Sequence, residues 1–125
     1  MKIAIYSRFL KPEHVSTLQE LLDILASRGI PFFIYEEFLA SFAGRIQLPN
    51  AQPPTFSNHH ELSILQIDFF ITLGGDGTIL DAATLVRQLQ IPIMGINLGR
   101  LGFLAMIEKH RLALAIQSLE LGDYI

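Results

Sequence analysis

Apolar positions along this chain fall into short unbroken runs separated by stretches of helical spacing. Lys2–Ser7 (KIAIYS) is compact, apolar and rich in β-forming residues, which predicts a buried first strand. Glu13–Arg28 places Val15, Leu18, Leu21, Leu22 and Leu25 at the spacing of one helical stripe, with Pro12 and Glu13 at its start and Gly29 just after it. Ile30–Tyr35 (IPFFIY) predicts a second strand, with Pro31 near its start, where a missing N–H does least harm. Glu36–Leu48 has room for a short helix. Pro49–Asn58, with three prolines and no periodicity, reads as a loop. His59–Gln66 reads as a half-turn or short helix leading into Ile67–Leu73 (IDFFITL), a strongly apolar strand. After a glycine-rich turn, Thr78–Gln90 predicts a helix with Ile79, Leu80, Ala83, Val86 and Leu89 toward the core. Ile91–Ile96 (IPIMGI) is a further buried strand. A loop with Gly99 and Gly102 then precedes a last helix from about Glu108 to Leu119, with Leu112, Ala115, Ile116 and Leu119 on one stripe. Continuously apolar strands alternating with helices predict an α/β fold of at least four strands, its parallel sheet covered on both faces.

Composition sharpens this picture. The chain has 125 residues and a formal charge of 9 − 12 = −3; half of it is hydrophobic and only 17% is charged, against about 25% charged in an average soluble domain. Disorder is excluded by that balance, one domain is the natural count, and roughly two-thirds of the unfolded surface can be buried at this length. The chain is nonetheless greasy for a free-standing domain. The longest apolar stretch, Ile91–Ile107, is interrupted by Pro92, Asn97, Arg100 and three glycines, so it is no plain membrane span. No signal-peptide pattern opens the chain. The lack of cysteine removes disulfides, thiolate catalysis and Cys-ligated metals, and agrees with a cytoplasmic setting. Mild acidity without a Lys/Arg run argues against nucleic acid and anionic membranes as partners.

Ligands of parallel α/β sheets bind beyond the C-terminal ends of the strands, so three junctions are candidates. The first, Ser7-Arg8-Phe9, has no glycine, but Arg8 can reach a phosphate or simply be solvated. The second is Gly74-Gly75-Asp76-Gly77-Thr78. Its glycines allow a sharp turn and close ligand approach, and the helix beginning after it suits phosphate oxygens, with Thr78 free to cap that helix or donate to an anion. It lacks the ending of a Walker loop and the third glycine of the dinucleotide fingerprint. A carboxylate works against anion binding, so Asp76 is either a turn residue or a proton acceptor for a hydroxyl attacking a phosphoryl group. The third junction, Asn97-Leu98-Gly99-Arg100-Leu101-Gly102-Phe103-Leu104, has two more glycines around one arginine, and Phe103 can either line a planar ligand or sit in the core. His59-His60 reads as a solvated loop pair, and His14 and His110 as residues opening helices.

On these residues the chain resembles the N-terminal domain of the ATP-NAD kinase family, which makes NADP from NAD. Strand–Gly74-Gly75-Asp76-Gly77-Thr78–helix is similar to the family's nucleotide motif, and Gly95-Ile96-Asn97-Leu98-Gly99-Arg100-Leu101-Gly102-Phe103-Leu104 to its second motif. The first motif alone is shared with phosphofructokinases and diacylglycerol-type lipid kinases, which are the alternative reading; the second, at its proper distance, favours NAD kinase. The resemblance implies a three-layer domain of the NAD kinase/phosphofructokinase-like kind. It implies Asp76 as the acceptor of a proton from the 2′-hydroxyl of the adenosine ribose, Gly77 against NAD, Phe103 at the adenine, and the remaining glycines around dinucleotide and donor phosphates. Thr78, Asn97, Arg100, Leu104 and Arg8 complete the expected nucleotide-binding set. ATP or another phosphoryl donor, NAD, and Mg²⁺ or another divalent metal are the expected small molecules, and a homo-oligomer is expected at full length.

Two departures stand out. Where many family members carry a basic residue contacting the dinucleotide, Asp81 stands, so Arg100 or Arg8 has to supply the charge and Asp81 reads as a first-turn helix carboxylate. The family also continues into a mostly β C-terminal domain. The expectation is therefore a nucleotide-binding domain over residues 1–120, a linker opening at 121–125, and a half-site inactive by itself. The apolar excess then belongs to a parallel sheet buried on both faces and to a surface that meets a second domain, and the isolated chain is expected to self-associate or to bury that face in crystal contacts.

Overall fold

A computed structural model describes residues 1–8, 10–42, 44–48, 54–99 and 107–122. Its elements are β1 (Ile3–Tyr6), α1 (Val15–Ser27), β2 (Phe32–Tyr35), α2 (Glu36–Ser41), β3 (Thr55–Phe56), α3 (His59–Leu65), β4 (Phe69–Gly74), α4 (Asp76–Val86), β5 (Ile93–Asn97), β6 (Ile107–Glu108) and α5 (Leu112–Leu121). Single 3-10 turns at Pro12–His14, Arg87–Leu89 and Lys109–Arg111 adjoin α1, α4 and α5.

The six strands form one sheet in the order β3-β2-β1-β4-β5-β6, every pair parallel. The chain steps from β1 to β2 in one direction and from β4 to β5 in the other. With the single crossover hand that parallel units adopt, the connecting helices must fall on opposite faces, and α1 and α4 do. Alternation along the strands divides the core in the same way. Ile3 and Ile5 of β1 join α1, α2 and α5 in one cluster, whereas Ala4 and Tyr6 join Leu62 of α3 and Ala82 and Val86 of α4 in another. The result is a three-layer α/β domain.

The stripe of α1 is as the spacing predicts: Leu18, Leu21, Leu22 and Leu25 are fully buried, each contributing about 1.5–3 kcal/mol of transfer free energy. Four expectations change. The Pro-rich stretch is not all loop, since Thr55 and Phe56 pair with Ile34 and Tyr35 as an edge strand. Ile107–Glu108 forms a second short edge strand on β5. Helix α4 begins two residues before Thr78 and ends at Val86, where a 3-10 turn replaces the expected continuation to Gln90. Its buried stripe is Thr78, Ala82 and Val86, which leaves Leu80 61% exposed and Ala83 on the surface.

Candidate active site

The strand order reverses direction between β1 and β4, and the crevice at such a point is where ligands of open parallel sheets bind. Registers Tyr6↔Thr72 and Gly74↔Asn97 bring the ends of β1, β4 and β5 to one edge. The first two sequence junctions and the described part of the third, Asn97–Gly99, therefore meet there. Ser7, just past β1 and 2% exposed, donates its hydroxyl to the Leu73 carbonyl of β4 at 2.7 Å. On the other side, the Leu98 N–H donates to the Gly74 carbonyl at 3.4 Å, and the Gly99 N–H donates to Asn97 Oδ1 at 3.0 Å. The first glycine motif is thus joined through Gly74 to the start of the second.

Glycine is required at 74 for two reasons. Its φ of +152° is a conformation L side chains rarely adopt, and a β-carbon there would collide with Thr78 Oγ1 and lie 3.1 Å from Thr78 Cβ. Gly75 occupies the N-cap position in an extended conformation, and its carbonyl accepts from the N–H groups of Thr78 at 3.2 Å and Ile79 at 3.4 Å. Asp76 and Gly77 are consequently the first two helical residues, and Thr78, the third, is buried against Gly74 rather than capping the helix. Asp76 stands half-buried at the positive end of the helix dipole.

Arg8 lies across this turn. Its Nε and Nη2 engage the two carboxylate oxygens of Asp81 side-on, with Nη2 donating to Oδ1 at 2.8 Å, and Tyr6 donates its hydroxyl to Oδ2 at 3.1 Å. A β-carbon on Gly77 would come within 2.8 Å of Arg8 Nη1, which places the guanidinium directly over that residue. The hydrogen bond from Arg8 holds the Asp81 carboxyl below the usual carboxylate range, and Asp81 in turn raises Arg8 above the ordinary arginine value. Burial, then the Asp81 hydrogen bond, pushes the Tyr6 phenol up to about 12. Asp81 is therefore no first-turn carboxylate. It is the sixth residue of α4, one turn further on, and it is occupied by Arg8 and Tyr6.

Of the residues expected at the site, Arg8, Gly74, Gly75, Asp76, Gly77, Thr78, Asn97 and Gly99 are gathered at this edge. Arg100, Gly102, Phe103 and Leu104 lie outside the described residues. The Ser7 hydroxyl and the Tyr6–Asp81–Arg8 chain were not expected; no local spacing signals a contact between residues 73 positions apart. His59 and His60 are not a solvated loop pair but the first residues of α3, with His59 Nδ1 2.8 Å from the Leu85 carbonyl. Among the described residues no group of three His, Asp or Glu side chains could hold a metal ion, and no helix is long and apolar enough to cross a membrane.

Residues 3–124 match the family model described as the ATP-NAD kinase N-terminal domain. Curated relatives include the NAD kinases of Christiangramia forsetii, 39% identical over 95% of this chain and 40% of its own length, and of Cytophaga hutchinsonii, 36% identical over 99% of this chain and 42% of its own. The chain thus spans about two-fifths of the length of these relatives. The solved structure of yeast NADH kinase complexed with NADH has the same fold, with a TM-score of 0.75 at 22% identity, covering 98% of this chain and 38% of that one. With the first glycine motif and the described start of the second, Gly95–Gly99, at one strand edge and a family match across nearly its whole length, this chain belongs to the ATP-NAD kinase family and matches its N-terminal domain.

Proposed function

We propose that this chain supplies the catalytic carboxylate and the phosphate-binding turn of an NAD kinase, which transfers a phosphoryl group from ATP or another donor to NAD. The observation that carries the reading is the position of Asp76, the first residue of α4 at the reversal point of the sheet, next in the chain to the Gly77 over which Arg8 lies and two residues past the Gly74–Asn97 pair. In the reaction, the 2′-hydroxyl oxygen of the adenosine ribose attacks the terminal phosphorus of the donor. The new P–O bond forms as the bond to the donor's bridging oxygen breaks, the donor leaves as its diphosphate, and the hydroxyl proton passes to an Asp76 carboxylate oxygen.

The chain's own residues then have distinct tasks. Gly74, Gly75 and Gly77 let backbone approach the nucleotide, the first turn of α4 favours its phosphates, and Asn97 with Gly99 shapes the neighbouring wall. Phe103 would line the adenine, and Arg100, Gly102 and Leu104 belong to the same expected nucleotide-binding set. A divalent cation accompanying the donor belongs to this reaction class; the described residues build no cage for one. The reading includes NADP biosynthesis in the cytoplasm, with which a chain free of cysteine agrees.

A general base contributes about 10²–10⁴ in rate. In the protein at its full natural length, Asp76→Asn is expected to lower kcat by about that factor while NAD still binds. Near-normal turnover would remove Asp76 from the role.

A further inference from the structure

The guanidinium of Arg8 is gripped from one side. Asp81 takes Nε and Nη2, the side-on arrangement that fixes the plane of a guanidinium as well as its position. Tyr6 steadies the same carboxylate from β1. Nη1 is outside the pair and lies over Gly77, where the lack of a β-carbon leaves room for it. An arginine side chain 57% exposed would ordinarily sample many rotamers. Here it is set across the first turn of α4, at the end of the helix that already favours anions.

We propose that Asp81 is a positioning residue: together with Tyr6 it holds Arg8 flat over Gly77, so that Nη1 meets a phosphate oxygen of a bound nucleotide. This rests on the kinase reading of the site, and it assigns to Asp81 a task opposite to what its charge suggests. A bare carboxylate near phosphates repels them, so that removing it would tighten binding. A mere brace between β1 and α4 would alter stability and leave binding alone. A positioning residue, when removed, weakens binding even though a negative charge has gone.

The test uses the protein at its full natural length, with KM measured separately for NAD and for ATP. Arg8→Ala is expected to raise one of the two by roughly ten- to a hundredfold, the worth of a charge-assisted hydrogen bond, with kcat little changed. The KM that moves identifies which nucleotide supplies the phosphate. Asp81→Asn is expected to raise the same KM by roughly three- to tenfold, and Asp81→Glu to recover some of the loss. The double variant should be no worse than Arg8→Ala, because Asp81 acts through that side chain. An Asp81→Asn variant with unchanged or lower KM for both nucleotides would overturn the proposal, and so would an additive double variant. If the unaltered protein fails to phosphorylate NAD, the kinase reading falls. The positioning role is then decided by calorimetric titration of ATP and NAD into the same variants, where the same order of Kd supports it and equal Kd values refute it.

Discussion

On the face covered by α1, α2 and α5, the sheet meets a broad, mainly aliphatic cluster that runs from Ile3 and Ile5 through the four leucines of α1 to Leu112, Ile116 and Leu119. The face covered by α3 and α4 is lighter and more aromatic. Tyr6, Tyr35, Phe56 and Phe70 touch in a closed circuit across β1, β2, β3 and β4, with ring centroids 5.0–6.2 Å apart. The upper rim of this second face is Tyr6, Asp81 and Arg8. One face supplies most of the apolar burial, and the other carries the candidate chemistry where its packing thins out at the strand ends.

That contrast can be broken by substitution. Leu22→Ala, in the heavy face, is expected to cost about 2–5 kcal/mol by denaturant unfolding, as for other fully buried leucines, with KM for both nucleotides unchanged in the protein that remains folded. A large change in KM would mean that the faces are coupled. Gly74→Ala tests the junction itself: the positive φ alone is worth about 1–3 kcal/mol, and the clash with Thr78 adds to it. Both stability and turnover should fall, and a thermal melt indistinguishable from the parent would show that the turn can relax. The smallest effect is expected in alkali. The Tyr6 phenol is held at about 12 in the folded protein, above its ordinary value of 10.0. Its contribution is therefore fully present below pH 10 and lost as the pH rises toward 12. Tyr6→Phe should flatten that decline in a pH series of unfolding curves, and an unchanged slope would place its cause elsewhere.

Much of this architecture is legible in the sequence because burial on both faces makes the strands continuous apolar runs. Ile3–Tyr6, Phe69–Gly74 and Ile93–Asn97 all fall where those runs predict strands, with only their ends displaced by a few residues at most. The edge strands are another matter. Thr55 and Phe56 are too few to show alternation, and what holds them is Tyr35 packing on Phe56 and the pairing with β2, both contacts made by a distant stretch of the chain. The phase of α4 is harder for a different reason. Gly-Asp-Gly has the composition of a turn, so the sequence points to a helix starting at Thr78, yet Gly75 caps it and the inward face becomes Thr78, Ala82 and Val86. At the site, the two glycine motifs are plain in the chain, whereas the bond between Arg8 and Asp81 exists only because β1 and β4 are neighbours in the sheet.

The strand that leads to Asp76 is paired along both edges, with β1 over Phe69–Thr72 and with β5 over Phe70–Gly74. Local opening of that strand would have to break both ladders at once, which places it toward the high end of the range of opening free energies within a fold. The carboxylate proposed as the base stands two residues past the end of that doubly paired strand, so the sheet anchors the approach to it from both sides.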